Sequence, residues 1–314
     1  VDHILLSNVK KDLLYAYIAL GAICLIWGTT YLAIRIGVQY FPPLLFVVIR
    51  QLLSGLVLGI LAMVFAKAQW PSFENIKRQA IAGFFMITLG NGLVSYAEVN
   101  IPSGVAAILC SLMPVTTIMI NLFLNKEEKP NPLIIFGVLV GLTGIVMIFR
   151  EHLTEFSRPE YLVGILIILI GVVAWAGGSV WLKKTNSEGN LFLNTALQMF
   201  FGGIWTIPGV LLFDDLSKVH FSTESFFALI YLIVFGSVIA YACYSYALRK
   251  LPMTILSLYA YVNPVVAVIL GWLILDEKLN LMIGFSILTT VAGIYVVNRG
   301  YAISKAWKTQ SLAK

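Results

Sequence analysis

The chain contains ten apolar segments, and most of them are long enough to cross a lipid bilayer. A helix needs about 20 apolar residues to span a hydrocarbon core of about 30 Å. Hydrophobic residues make up 60% of the 314 residues and charged residues only 11%, against about 25% in soluble domains. Because the apolar blocks are continuous rather than alternating, they favour helices over a membrane barrel. The sequence therefore predicts an all-α polytopic membrane protein with ten transmembrane helices, at 13–35, 43–65, 76–98, 102–124, 132–149, 161–182, 191–213, 225–248, 252–275 and 280–299.

One pattern occurs twice, once in each half of the chain. The spacing of a tyrosine, two prolines and a glutamate repeats: Tyr96, Pro102, Pro114 and Glu127 correspond to Tyr246, Pro252, Pro264 and Glu277. This predicts two five-helix units, residues 13–149 and 161–299. Because five is odd, the second unit must enter the membrane from the opposite side, so the repeats are predicted to be inverted. Inverted repeats commonly enclose a site at the interface between the halves.

Basic residues predict the orientation of the chain. If the N-terminus is cytoplasmic, the connections on that side carry 15 Lys and Arg residues and the outer connections carry 5. Cytoplasmic loops of membrane proteins are rich in Lys and Arg. Both termini are therefore predicted to be cytoplasmic. The net charge of +6 is explained by this distribution and is not a sign of nucleic-acid binding.

The spacing of these features resembles the drug/metabolite transporter superfamily, specifically two tandem EamA-type domains. The resemblance covers residues 13–299. It depends on Trp27-Gly28, the stretch from Pro43 to Arg50, Tyr96-Ala97, Pro102, Pro114, Glu127 and Gly144, and on Trp175, Tyr246-Ala247, Pro252, Pro264, Glu277 and Gly293. It implies a ten-helix inner-membrane exporter of small metabolites with a central cavity, similar to bacterial exporters of amino acids, including aromatic ones. The second copy departs from the first where Gln198 corresponds to Arg50.

Polar and aromatic side chains at equivalent depths in the two halves form the predicted substrate site. Thr88, Asn91, Ser95 and Glu98 share one face of the third helix. Such groups must face other helices or water. They either line a cavity or join helices by hydrogen bonds worth about 0.6 kcal/mol per pair. The predicted substrate-binding residues are Trp27, Thr30, Asn91, Ser95, Trp175, Ser179, Tyr241, Tyr244, Ser245, Tyr259 and Asn263.

Two charged residues lie within the predicted helices. Arg50 at mid-membrane costs at least ~2.5–3.5 kcal/mol on insertion scales, so it needs a partner or a water path. Arg50 either forms a structural pair with Glu98 or binds a substrate carboxylate, and the sequence does not decide between these two roles. Glu98 is alternatively a proton-coupling group, which makes protons a candidate partner.

Proline predicts two hinges or gates. Pro114 and Pro264 each interrupt an apolar helix and free the carbonyl four residues earlier. Static kinks are the alternative. The three cysteines and three histidines show no ligand spacing, so neither a metal nor a cofactor is predicted.

The leading prediction is a secondary carrier that exports small organic metabolites, most favourably amino acids, by alternating access in the bacterial cytoplasmic membrane. The alternative is a multidrug carrier for lipophilic compounds, although the first helix carries no acidic residue. An enzyme is not predicted, because no catalytic set is present, and no GxxxxGK[ST] motif supports a nucleotide-driven pump. The predicted partners are a small-molecule substrate and the lipid bilayer. The Gly137–Gly141 pair serves either internal packing or dimerisation, so the choice between monomer and homodimer stays open.

Overall fold

The computed structural model of the chain describes residues 2–124, 131–149, 158–185, 188–220, 222–275 and 281–312. The chain is 86% helical, and the described residues contain no strand. This confirms the predicted class, an all-α polytopic membrane protein. Glu127 and Glu277, on which part of the resemblance depends, lie outside the described residues.

A helix occupies each predicted apolar segment. The helices are α1 (Asp2–Gly37), α2 (Pro43–Val64), α3 (Phe73–Ala97), α4 (Ser103–Cys110 and Met113–Leu124), α5 (Pro132–Phe149), α6 (Pro159–Lys184), α7 (Leu191–Phe213), α8 (Thr223–Lys250), α9 (Met253–Leu256 and Tyr259–Leu275) and α10 (Leu281–Leu312). By length and composition, seven described helices can cross a membrane: α1 to α4 and α6 to α8. Shorter apolar stretches lie in the other three, at Pro132–Gly144, Tyr259–Ile274 and Gly284–Val297.

The main helix contacts join one half of the chain to the other. Helix α1 packs on α8 and α9, and α6 packs on α3 and α4. Helix α2 packs on α7, and α5 packs on α10. Glycines allow the closest approaches, since a Cβ on Gly293 would lie 2.5 Å from the Gly141 nitrogen and one on Gly137 would lie 2.7 Å from the Val297 nitrogen. Gly137 and Gly141 therefore serve packing within the chain.

Hydrogen bonds between connections define two ends of the bundle. At the end that we call the basic end, Arg78 donates to the Thr185 carbonyl (3.1 Å) and Lys250 pairs with Asp12 (2.7 Å). At the other end, the far end, the His220 amide donates to the Tyr40 carbonyl (3.0 Å). These contacts group the ends of α1, α3, α6 and α8 as the predicted topology requires.

Both third helices of the predicted repeats contain a π-helical segment. In α3 it covers Phe84–Gly92, and in α8 it covers Leu232–Ile239. π-Helical turns are rare and occur frequently at functional sites. These two segments bring the middle of each helix to the interface between the halves.

Only one of the two predicted proline breaks lies at its proline. Helix α4 is interrupted at Ser111 and Leu112, directly before Pro114. In α9 the predicted position is wrong, because Pro264 lies inside the continuous helix Tyr259–Leu275. The interruption occurs earlier, where the amide of Leu258 donates to the Ile255 carbonyl (3.2 Å) and tightens the turn.

Candidate functional site

A cavity of about 70 Å³ lies between the two halves, and we call it the central cavity. Its walls come from α1 to α4 of the first half and from α6, α8 and α9 of the second. Seven of the eleven predicted binding residues line it: Trp27, Thr30, Asn91, Trp175, Tyr241, Tyr259 and Asn263. The structure thus brings together most of the positions chosen from the repeat pattern.

Aromatic rings fill one side of the central cavity, with Trp27 at their centre. Its ring centroid lies 5.4 Å from that of Trp175, 5.5 Å from Tyr241 and 4.9 Å from Tyr259. The Trp175 and Tyr259 contacts are edge-to-face, an arrangement that aromatic pairs prefer. The Trp27 indole also donates to the Gly236 carbonyl in the π segment of α8 (3.1 Å). Trp27, a residue of the first half, is therefore held in place by the second half.

Arg50 is buried, with 1% of its surface exposed, and only part of its guanidinium is used. Its Nε donates to Ser237 Oγ (2.8 Å), and its Nη2 donates to the Gly236 carbonyl (3.1 Å). Its Nη1 has no hydrogen-bond partner. Since a guanidinium has five N–H donors, this nitrogen remains available to a ligand.

Further buried polar atoms near the central cavity also lack partners. They are Asn91 Oδ1, Ser95 Oγ and both carboxylate oxygens of Glu98. Buried polar groups are nearly always hydrogen-bonded, so a cluster of exceptions needs a water or a ligand to satisfy it. These atoms make the interface between the halves the candidate binding site.

Glu98 directly follows α3 at the far end of the bundle, has no exposed surface and does not line the central cavity. Arg35 donates to the main-chain carbonyls of Glu98 and Val99 but not to the carboxylate. The predicted direct pair between Arg50 and Glu98 is not formed, because Arg50 is turned towards the π segment of α8. Both arginines still act on the carboxylate electrostatically.

The remaining four predicted binding residues do not line the central cavity. The Tyr244 hydroxyl donates to Ser179 Oγ (2.8 Å), and the Tyr244 ring lies 5.2 Å from that of Trp27. Ser95 is buried beside the cavity without a partner. Ser245 accepts from Thr195 (2.8 Å) and lines a second cavity of about 380 Å³ at the basic end, which we call the vestibule.

The polar face of α3 was predicted either to line a cavity or to join helices by hydrogen bonds. One of its residues joins helices. Thr88 donates to the Gly202 carbonyl of α7 (2.8 Å) and does not line the central cavity. Asn263 has a similar structural contact. When the Asn263 amide is oriented with its nitrogen facing the two carbonyls, it donates to those of Cys24 (3.1 Å) and Tyr259 (3.0 Å).

Several wall residues were not predicted from the sequence. They are Tyr31, Ile34, Gly90, Val94, Cys110, Met113, Gly171 and Val172. Tyr31 could have been found, since it lies one helical turn after Trp27 on the same face. The others are apolar or small residues that carry no signal of their own. The described residues contain no group of three or more His, Cys, Asp or Glu side chains placed to hold a metal ion.

Residues 14–150 and 162–299 each match the EamA-like transporter family. The chain belongs to this family. A curated relative from Escherichia coli K12, named Uncharacterized inner membrane transporter YedA, is 33% identical over 293 residues, 92% of each chain. Protein PecM of Dickeya dadantii is 27% identical over 260 residues, 81% of this chain and 82% of PecM.

A solved crystal structure shares the fold. It superposes with a TM-score of 0.70 over 90% of this chain and 95% of the other, at 19% identity.

Proposed function

We propose that this EamA-family protein is a secondary transporter of the bacterial cytoplasmic membrane that exports small organic metabolites. Amino acids, including aromatic ones, are the proposed substrates, and the central cavity is the proposed site. Both termini are proposed to be cytoplasmic, which places the basic end inside the cell. The name of the Escherichia coli relative, an inner membrane transporter, supports this location.

The cluster of unpartnered polar atoms around the central cavity carries the proposal. The free Nη1 of Arg50 suits a substrate carboxylate, because guanidinium–carboxylate hydrogen bonds are charge-assisted. Asn91 Oδ1 and the Glu98 oxygens can accept from a substrate ammonium. Trp27 and Trp175 offer ring edges and faces to a side chain, and an aromatic side chain gains most from them.

The central cavity must expand to hold such a substrate. Its volume of about 70 Å³ is well below the ~300–1,000 Å³ of typical ligand pockets. Because α1 packs on α8 and α9, and α6 on α3 and α4, movement between the halves would separate Trp27 from Trp175. Alternating access is the proposed form of this movement.

Efflux of lipophilic drugs is the second candidate, and the aromatic wall favours it. Trp27, Trp175, Tyr241, Tyr244 and Tyr259 lie in mutual ring contact and would accept bulky apolar compounds. The buried charge of Arg50 argues against cationic drugs, since like charges in a buried site repel strongly.

Flux into proteoliposomes tests both candidates. Labelled amino acids and uncharged lipophilic dyes are compared with and without a pH gradient, for the wild type and for Trp27→Ala and Asn91→Ala. Trp205→Ala is the matched control, because Trp205 lies on the surface with 48% exposure. We expect saturable amino-acid flux that both cavity variants lose and the control keeps. Dye flux alone would favour the second candidate, and flux that survives both cavity substitutions would contradict the assigned site.

A further inference from the structure

The vestibule at the basic end is large enough for a solute, unlike the central cavity. Its volume is about 380 Å³, within the ~300–1,000 Å³ range of ligand pockets. Its walls come from α3 of the first half and from α6, α7 and α8 of the second. In this conformation the vestibule is therefore the better fit for a molecule of metabolite size.

Gln198 lies in the vestibule wall, and its amide makes a weak hydrogen bond. Only 2% of its surface is exposed, and its amide nitrogen donates to the Met86 sulfur (3.2 Å). Sulfur is a weak acceptor, so the amide is poorly satisfied for a buried group. Next to it, the hydroxyls of Thr195 and Ser245 form a hydrogen bond of 2.8 Å and also line the vestibule.

Two cations give the vestibule a positive charge. Lys183 Nζ is held in place by the carbonyls of Leu248 (3.0 Å) and Leu251, and Arg249 stands at the end of α8. Among the described residues that line the vestibule, none is acidic. A cavity lined by cations and neutral donors concentrates anions.

A thin layer separates the vestibule from the central cavity. Ser245 lines the vestibule, while its neighbour Tyr244 contacts Trp27 and bonds to Ser179. Adjacent residues of α8 therefore face the vestibule and the aromatic cluster around Trp27.

We infer that the vestibule is a separate binding site for small organic carboxylates, occupied before the substrate reaches the central cavity. Gln198 and the Thr195–Ser245 pair provide its neutral donors, and Lys183 and Arg249 provide its charge. The inference extends the proposed function, because it places the first contact of the exported substrate with the protein.

Protection of a cysteine from alkylation tests this site without requiring transport. Cys24, Cys110 and Cys243 are replaced by alanine, and Leu191→Cys, which lines the vestibule without being one of its proposed donors, is labelled with a water-soluble maleimide. A carboxylate at about ten times its Kd leaves roughly one-tenth of the sites free, so it should slow labelling about tenfold. Amino acids should protect, and the corresponding amino-acid amides should not. Leu182→Cys, another vestibule residue outside the proposed donors, is a second reporter if Leu191→Cys does not fold.

Charge variants complete the test. Arg249→Gln should weaken protection by carboxylates about tenfold, since a charge-assisted contact is lost. Lys184→Gln is the matched control and should leave protection unchanged, because Lys184 does not line the vestibule. Absence of protection, or equal protection by amino-acid amides or by sulfate, would overturn the inference. Wild-type flux, measured separately, decides the proposed function, so the two failures can be told apart.

Discussion

The far end and the basic end of the bundle are built from equivalent helices of the two halves, but these helices carry different side chains. Trp27 and Trp175 are 148 residues apart, and the same step relates Arg35 to Lys183. Arg35 donates to the main-chain carbonyl of Glu98, and Lys183 donates to that of Leu248 (3.0 Å). In both cases a cation binds the C-terminal end of a third helix, where carbonyls lack helical partners.

The two ends differ in charge and in space. Among the described residues, the buried charged side chains are Arg50 and Glu98, towards the far end, whereas the corresponding positions at the basic end hold Gln198 and Leu248. The basic end opens into the vestibule of about 380 Å³. The end that opens into this volume is lined by Lys183 and Arg249, whereas the charges of Arg50 and Glu98 are buried at the other end.

Arg50→Gln gives the far end the side chain of the basic end and should have the largest effect. Hydrogen bonds to charged groups contribute about 1.5–3 kcal/mol, so the loss of the substrate contact predicts about 10- to 100-fold lower amino-acid flux. Initial rates in proteoliposomes measure this loss. The same change at the surface, Arg158→Gln, is the control, since Arg158 is exposed.

Arg50→Lys separates charge from shape. An ammonium keeps the charge but cannot make the forked contacts of a guanidinium, so flux should recover only in part. Full activity of Arg50→Gln would show that the guanidinium does not contact the substrate.

Glu98→Gln removes an acidic group from the far end. The corresponding position at the basic end, Leu248, has no such group. If Glu98 exchanges a proton during transport, the variant should lose the stimulation of flux by a pH gradient and keep flux at equal pH. We expect the flux driven by the gradient to fall about tenfold or less. The change is limited because a neutral amide replaces a carboxylate that has no hydrogen bond to lose. Initial rates with and without the gradient measure it, with Glu74→Gln as the exposed control. A gradient response equal to that of the wild type would exclude Glu98 as the coupling group.

The sequence predicts the helices and much of the site because both leave long or repeated patterns. The length of an apolar run is set by the thickness of the bilayer that it crosses, and a helix lies at every predicted segment. Trp27 and Trp175 could be placed together because they occupy equivalent positions in the two halves. Polar residues at equal depth in both repeats gave the other wall positions for the same reason.

The rest of the site depends on contacts that no local pattern records. The π segments of α3 and α8 place the Gly236 carbonyl against Arg50 and Trp27, which explains why Arg50 does not reach Glu98. The polar face of α8 was predicted to line one cavity, but it spans two. Ser245 lies one turn nearer the basic end than Tyr241 and therefore lines the vestibule.

Asp214→Ala should loosen the far end without affecting the basic end. The Asp214 carboxylate accepts from the amides of Leu45 (2.7 Å) and Leu44 (3.4 Å), so α7 caps the first turn of α2. At the basic end, Asn190 caps its own helix, α7, through Phe192 and Leu193. Loss of a cap costs about 1 kcal/mol.

A reporter cysteine distinguishes the two caps. Ile34→Cys lies in the wall of the central cavity, and its labelling from the far end should become about fivefold faster in Asp214→Ala, the change that 1 kcal/mol gives. Asn190→Ala should lower stability to a similar extent but leave this labelling rate unchanged. Equal acceleration by both variants would mean that the cap from α7 does not hold the far end closed.

Tyr244→Phe should have the smallest effect, and it tests the layer between the two cavities. It removes the bond to Ser179 (2.8 Å), while Ser179 keeps its own bond to the Trp175 carbonyl (2.8 Å). The corresponding positions in the first half, Tyr31 and Val94, cannot form this bond, because valine has no polar group. Because no buried group is left unpaired, we expect the lost hydrogen bond to cost only about 0.5–1 kcal/mol, which corresponds to a two- to fivefold change in flux. Faster flux with an unchanged half-saturation concentration would identify the bond as a latch between the cavities, and slower flux with weaker substrate binding would instead place Tyr244 in the binding site.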